Sequence, residues 1–286
     1  MVNDDTAIAK EDRLRAWFQG RGAVAIGYSG GVDSAYLAAV ALRELGADRV
    51  LAIIGRSASY PESQWAAARA VAAGIGLPVL EIGTDELEDP RYAANPSNRC
   101  YFCKNELWSK LVPIAAERGI ETVIDGTNAD DLTGHRPGAA AAREQGVVSP
   151  LAMFELSKDE IRRRSRALGL PTAEQPSSPC LSSRIPYGTP VTVGRLRRVE
   201  QAEAALRALG VRGDLRVRHF GDLAKVELTP SEVARWTSPD ARAQVEAAVT
   251  GAGYERVEID PRGYRSGGMI ELARRERTEG AALPGD

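Results

Sequence analysis

Six residues, Ser29-Gly30-Gly31-Val32-Asp33-Ser34, constrain this chain more than any other stretch. They follow an apolar run, Ala23 to Tyr28, that reads as a buried strand bounded by glycines. They lead into Leu37, Ala38, Ala41, Leu42 and Leu45, the spacing of one helical face, which Gly46 ends. A strand that turns through adjacent glycines into a helix lets successive backbone N–H groups converge on an anion, and the helix dipole adds to them. Ser29 and Ser34 supply hydroxyl donors, and Asp33 a carboxylate suited to Mg²⁺ bridging phosphate oxygens. The loop has neither the G-x-x-x-x-G-K-[ST] spacing nor the G-x-G-x-x-G dinucleotide spacing. The bland alternative is a tight strand-to-helix turn capped by Ser or Asp.

The alternation continues. Val50 to Ile54 and Pro78 to Ile82 read as strands, Glu62 to Ile75 and Lys104 to Arg118 as helices, and Glu121 to Ile124 as a strand before Asp125-Gly126. This order predicts an α/β fold, a doubly wound parallel sheet covered on both faces, with ligands at the carboxyl ends of its strands. Ser157-Lys158-Asp159-Glu160 is a capping box opening a helix to about Leu168. Between Leu170 and Pro190, prolines at 171, 176, 179, 186 and 190 exclude helix and central strand, so this stretch reads as a functional crossing between domains. Beyond it an α-β-β-α-β order predicts a smaller α+β domain with a partly antiparallel sheet. The expected organisation is residues 1–170 for the nucleotide domain and 171–286 for the smaller one.

Charge and composition remove several classes. The 286 residues carry 37 basic against 39 acidic side chains, a net charge of −2, so bulk nucleic-acid binding is disfavoured. No run of eighteen apolar residues exists, and the acidic start Met1-Val2-Asn3-Asp4-Asp5 is wrong for a leader, so the expectation is a cytoplasmic protein without a membrane span. Two histidines, His135 and His219, leave zinc sites and imidazole triads short of parts. Three cysteines cannot make a disulfide framework and point to a reducing compartment. Cys100 and Cys103 form a C-x-x-C leading into a helix, and Cys180 lies in the Pro-rich crossing. Three readings stay open: a redox pair, inert buried cysteines, or three thiolates forming an incomplete iron–sulfur cage that leaves one iron open.

Ser29 to Ser34 resembles the S-G-G-x-D-S pyrophosphate loop of the ATP pyrophosphatase superfamily, which includes GMP, NAD and asparagine synthetases and tRNA thiolases. Within it the chain resembles the LarE-type ATP-dependent sulfur transferases of nickel-pincer nucleotide cofactor biosynthesis. The residues carrying this are Arg99 to Lys104, Asp125 to Asp131, Arg136-Pro137-Gly138, Pro179 to Gly188, Arg216-Val217-Arg218 and Gly263 to Gly267, in consistent order across residues 10–272. The resemblance implies adenylation of a carboxylate on a pyridinium dicarboxylate mononucleotide, then sulfur attack to give a thiocarboxylate. ATP and Mg²⁺ would be held by Ser29, Gly30, Gly31, Asp33 (the magnesium ligand) and Ser34, with Gly126 and Asn128 at a strand end; Lys104 and Arg136 could neutralise phosphate charge there or make ordinary surface ion pairs.

The sulfur would come from Cys180 sacrificially, or from a sulfide on a [4Fe-4S] cluster bound by Cys100, Cys103 and Cys180; the full cysteine set favours the cluster. Arg216 and Arg218, two apart on a predicted strand, share a face and could clamp the substrate phosphate with Ser183 and Arg184, or blunt an exposed strand edge. Glu203 matches an acidic family residue near the sulfur site, a candidate metal ligand, or is solvated surface. The partner expected is a small nucleotide rather than nucleic acid or membrane, with the chain in a homo-oligomer. The rivals are a tRNA thiolase, which the near-zero net charge disfavours, and an ammonia-dependent synthetase, which leaves the cysteines without a job. An ATP-binding module without catalysis is the non-enzyme rival.

Overall fold

The strand preceding the glycine loop, β1 (Val24–Gly27), is apolar at successive positions because both of its faces are covered. In the computed structural model, which describes residues 4–133 and 137–265, Ile26 packs into one hydrophobic cluster and Ala25 into another on the opposite face. His135 and Arg136, with Ser266 and Gly267 of the C-terminal motif, lie outside the described residues. The chain divides into two units, residues 4–92 with 98–178, and residues 93–97 with 179–265.

The first unit is the expected α/β fold. Its elements run α1 (Asp4–Gln19), β1, α2 (Val32–Leu45), β2 (Val50–Arg56), α3 (Glu62–Gly74), β3 (Val79–Gly83), α4 (Pro90–Ala93), α5 (Arg99–Glu117), β4 (Thr122–Asp125), α6 (Pro137–Glu144), α7 (Pro150–Met153) and α8 (Lys158–Ala167). The four strands are parallel in the order β3-β2-β1-β4. Leu14, Phe18, Leu37, Ile54 and Ile161 pack on one side of the sheet, and Ile53, Trp108, Leu111 and Ala115 on the other. Gly27 and Gly55 keep the second side closely packed: a Cβ would meet the Trp108 ring at 2.2 Å or Leu107 Cδ1 at 2.7 Å. The capping box at Ser157 forms as read, with Ser157 Oγ accepting from the Glu160 amide and Glu160 accepting from the Ser157 amide.

One boundary differs with consequences. The helix expected from Lys104 begins at Arg99, so Cys100 and Cys103 sit on α5 itself rather than in a loop before it.

The second unit holds α9 (Val193–Ala208), β5 (Leu215–Phe220), β6 (Leu223–Leu228), α10 (Pro230–Trp236), α11 (Pro239–Thr250) and β7 (Arg256–Ile259). β5 and β6 are antiparallel and β6 and β7 parallel, the partly antiparallel sheet expected. Leu215 and Val217 point into a core with Leu206, Val226, Trp236, Val245 and Val249, so Arg216 and Arg218 take the other face of β5. His219 lies on the core side, its Nδ1 3.1 Å from the Tyr254 hydroxyl. Burial, with Arg195 and Arg198 nearby, pushes its pKa down to about 4 from 6.5. A folded pKa below the unfolded one means that the unfolded chain binds the extra proton. The stability contributed by neutral His219 is therefore complete above about pH 6.5 and lost as pH falls toward 4, about 3 kcal/mol in all. Urea titrations at pH 7 and pH 4.5 on the parent and on His219→Gln should show a smaller pH loss in the variant; equal losses would refute the assignment.

Candidate active site

The sheet order places a switch point beside β1. The chain leaves β1 toward β2 and β3, then returns through α5 to add β4 on the other side of β1. Crossovers that diverge in this way leave a crevice at the strands' carboxyl ends, where α/β proteins bind ligands. Ser29–Ser34 emerges there from β1, and Gly126–Asp131 from β4.

The glycine loop is built tightly. Gly30 adopts φ +68°, and a Cβ there would lie 2.5 Å from the Ala68 Cα on α3. Gly126 passes so close to the start of α2 that a Cβ would meet the Ser34 nitrogen at 3.0 Å. Ser34 Oγ accepts from the Ser29 amide at 3.2 Å, donates to the Gly31 carbonyl at 3.2 Å and lies 3.2 Å from Ser29 Oγ. Gly31, the N-cap of α2, offers no side-chain acceptor to the first-turn amides, an arrangement suited to an anion.

Asp33 is paired. Lys158, the first residue of α8, donates to Asp33 Oδ2, and Asn128 Nδ2 donates to Oδ1 at 3.2 Å. Asn128 is buried and frames its turn by accepting from the Asp130 and Asp131 amides at 3.0 and 3.2 Å. Asp125 is used locally, accepting from the Thr127 amide and hydroxyl and from Ser149. Lys158 was not among the site residues read from the sequence. Its signal was absorbed by the capping box, and only the fold brings α8 to the end of β1. Lys104, expected near phosphate, is exposed on α5 with Nζ 5.4 Å from the Trp108 ring centroid. Arg136 falls outside the described residues.

The cysteines lie in both units. Cys100 and Cys103, three residues apart, share a face of α5; Cys100 is exposed and Cys103 half-buried. Cys180, half-buried, precedes a 3₁₀ turn, Leu181–Arg184, in the second unit.

Arg184 organises that turn. Its Nη1 donates to the Pro179 carbonyl, to the Cys180 carbonyl at 3.0 Å and to Ser183 Oγ at 3.1 Å, while Nε and Nη2 clasp Glu203 at 2.9 and 3.0 Å. Glu203 also accepts from the Val217 amide at 3.0 Å, so, half-buried, it belongs to a hydrogen-bonded network and is not merely solvated surface. Arg216 and Arg218 are 5% and 6% exposed, which removes the exposed-edge alternative. Arg218 pairs with Glu227 at 2.7 Å and donates to the Ser183 carbonyl at 3.0 Å. Arg216 donates to the Leu215 carbonyl and lies 4.9 Å from the Tyr264 ring centroid. Burial first, and the Arg184 charge second, depress its pKa, a strain that a bound anion would relieve. Asn95, in the short segment that joins this unit, holds the chain after the turn by donating to the Pro186 and Thr189 carbonyls at 2.7 and 2.9 Å.

The donors fit the implied groups unequally. Asp33, a hard oxygen ligand at the mouth of an amide-lined loop, suits Mg²⁺ carried by a nucleotide. Three thiols suit an iron–sulfur cluster in kind. However, among the described residues no three His, Cys, Asp or Glu side chains gather as a metal site would need. No helix among those residues is long and apolar enough to cross a membrane.

Comparison with known proteins adds the following. Residues 10–94 match the NAD synthase family. A pyridinium-3,5-bisthiocarboxylic acid mononucleotide synthase from Lactiplantibacillus plantarum is 32% identical over 92% of this chain and 95% of its own. An uncharacterized protein from Synechocystis is 43% identical over 91% of this chain and 96% of its own. Another uncharacterized protein, from Methanocaldococcus jannaschii, is 29% identical over 72% and 77% of the two chains.

Proposed function

The chain belongs to the LarE-type family of PP-loop proteins, that of the pyridinium-3,5-bisthiocarboxylic acid mononucleotide synthase, and we propose that it is an ATP-dependent sulfur transferase converting a carboxylate of a pyridinium dicarboxylate mononucleotide into a thiocarboxylate. The observation that carries this reading is the glycine loop at the β1/β4 switch point, with Asp33 held between Lys158 and Asn128.

A carboxylate resists nucleophiles until an oxygen becomes a good leaving group. In the proposed first step a substrate carboxylate oxygen attacks the α-phosphorus of ATP, and pyrophosphate leaves. The Gly30 amide, the first-turn amides of α2, Ser29 and Ser34 receive the pyrophosphate charge, and Gly126 gives the closeness that the crevice needs. Asp33 would hold the Mg²⁺, which screens phosphate charge, and Lys158 supplies a cation beside it. In the second step sulfur attacks the acyl carbon and AMP leaves. Cys180 is the proposed sulfur-site residue, its turn set by Arg184. Arg216 and Arg218, with Arg184 and Ser183, are proposed to receive the mononucleotide phosphate, and Glu203 to fix Arg184. Whether the sulfur is Cys180's own or a cluster sulfide held with Cys100 and Cys103 does not change these roles.

Replacing Lys158 by methionine is expected to weaken ATP binding ten- to a hundredfold, the loss of one charge-assisted phosphate contact of roughly 1.5–3 kcal/mol. Calorimetric titration with ATP and Mg²⁺ checks this, and unchanged affinity would remove Lys158 from the site. The reading as a whole is tested by ATP-dependent pyrophosphate release. It should rise on adding the pyridinium dicarboxylate mononucleotide and not on adding tRNA or ammonia with other acceptors. A response to tRNA alone would make the protein a tRNA thiolase, contrary to the proposal.

A further inference from the structure

Between β2 and α3 the chain makes a short loop, Ser57 to Pro61, at the same carboxyl edge of the sheet as the glycine loop. Glu86, 2% exposed in the turn after β3, anchors it: the Ser57 hydroxyl donates to Glu86 Oε1 at 2.5 Å, and the Ser59 hydroxyl donates to the same oxygen. Ser57 Oγ also accepts from the Ser59 amide at 3.2 Å, and the Tyr60 amide donates to the Ser57 carbonyl at 3.1 Å. The loop is thus held from inside, and it presents Tyr60. The Tyr60 hydroxyl donates to the Ser29 carbonyl at 2.9 Å.

That contact falls on the peptide that matters for anion binding. The chain has no cis peptide bonds, and in a trans peptide the C=O and N–H point in opposite directions. The Ser29–Gly30 peptide is therefore oriented from its carbonyl end: holding that oxygen against Tyr60 turns the Gly30 N–H to the other side. Gly30, at φ +68°, is the residue whose backbone is freest to flip, and its N–H donates to no group among the described residues. Burial raises the Tyr60 hydroxyl to about 12, so it stays a donor throughout the neutral range.

We propose that Tyr60, steadied by the Ser57–Ser59–Glu86 cluster, is a positioning residue that locks the Ser29–Gly30 peptide with its N–H turned toward the pyrophosphate moiety of ATP. The proposal rests on the ATP-dependent reading above. It assigns to Tyr60 no contact with the nucleotide; its effect passes through the peptide alone.

The test is calorimetric binding of ATP, AMP and inorganic pyrophosphate to the parent protein, Tyr60→Phe and Glu86→Gln. Tyr60→Phe keeps the ring and removes one hydrogen bond, so its melting temperature should stay close to that of the parent. Its affinity for ATP and pyrophosphate should fall about fivefold, with AMP unaffected. Glu86→Gln should show the same selective loss, more weakly. Pyrophosphate affinity within twofold of the parent in Tyr60→Phe would overturn the proposal. So would an equal loss for AMP and pyrophosphate, which marks a merely structural role. A parent protein that binds neither ATP nor pyrophosphate would overturn the ATP-dependent reading itself, and the proposal with it.

Discussion

Replacing Cys180 by alanine is expected to abolish thiocarboxylate formation, a loss beyond about a thousandfold, while pyrophosphate release in the first turnover persists. The two halves of the proposed reaction make different demands on the chain. Adenylation needs the glycine loop, Asp33 and Lys158, all in the first unit and held by hydrogen bonds to residues of that unit. Sulfur transfer needs a thiol or sulfide at the Leu181–Arg184 turn, where Cys180 is the only sulfur among residues 179–184. The variant should therefore release pyrophosphate once and stall. Thiocarboxylate formation that survived the substitution would refute Cys180 as the sulfur-site residue by either sulfur route.

Arg184→Met is expected to cost the second unit about 3–5 kcal/mol, the largest single effect on stability. The guanidinium is 2% exposed and donates to the Pro179 and Cys180 carbonyls at the head of the turn. Methionine fills the volume but removes a donor from each of these carbonyls, although the Ser183 amide still reaches the Cys180 oxygen at 3.0 Å, and it strips the half-buried Glu203 carboxylate of both guanidinium bonds. Glu203→Gln on the same background should recover part of the loss by removing the stranded charge. Urea unfolding of the single and double variants measures both. A loss under about 1 kcal/mol for Arg184→Met would mean that the network does not hold the turn.

Much of this was legible because it is local. Strands such as Val50–Arg56 and Leu215–Phe220 follow from short apolar or alternating runs. The Ser157 capping box and the glycine loop follow from residue types at fixed offsets. The start of α5 was not legible. Asn98, its N-cap, makes no side-chain capping bond, and Cys100, Tyr101 and Phe102 are weak helix formers. The first turn is held instead by packing, with buried Arg99 at its head. The site showed the same division. Ser29–Ser34 announces itself, whereas Lys158 reaches Asp33 across 125 residues and Tyr60 reaches Ser29 across 31. Arg218 read as a phosphate clamp or a blunted strand edge and Glu203 as a metal ligand or solvated surface, and only packing shows that each is committed to an ion-pair partner. Nothing in the composition of residues 93–97 marks their place in the second unit.

The central claim is that ATP cleavage by this protein drives the exchange of a carboxylate oxygen for sulfur. It is tested most directly by anaerobic incubation of the freshly purified protein with ATP, Mg²⁺ and the pyridinium dicarboxylate mononucleotide. Mass spectrometry of the nucleotide and of the intact protein, with iron and sulfide analysis, supplies the readout. The account predicts AMP, pyrophosphate and a mononucleotide heavier by the difference between sulfur and oxygen, in equal amounts. Stoichiometric iron with an unchanged polypeptide assigns the sulfur to a cluster, and a polypeptide that has lost the elements of H₂S at Cys180 assigns it to that residue. AMP and pyrophosphate without sulfur in the mononucleotide, from protein with Cys180 intact, would contradict the account.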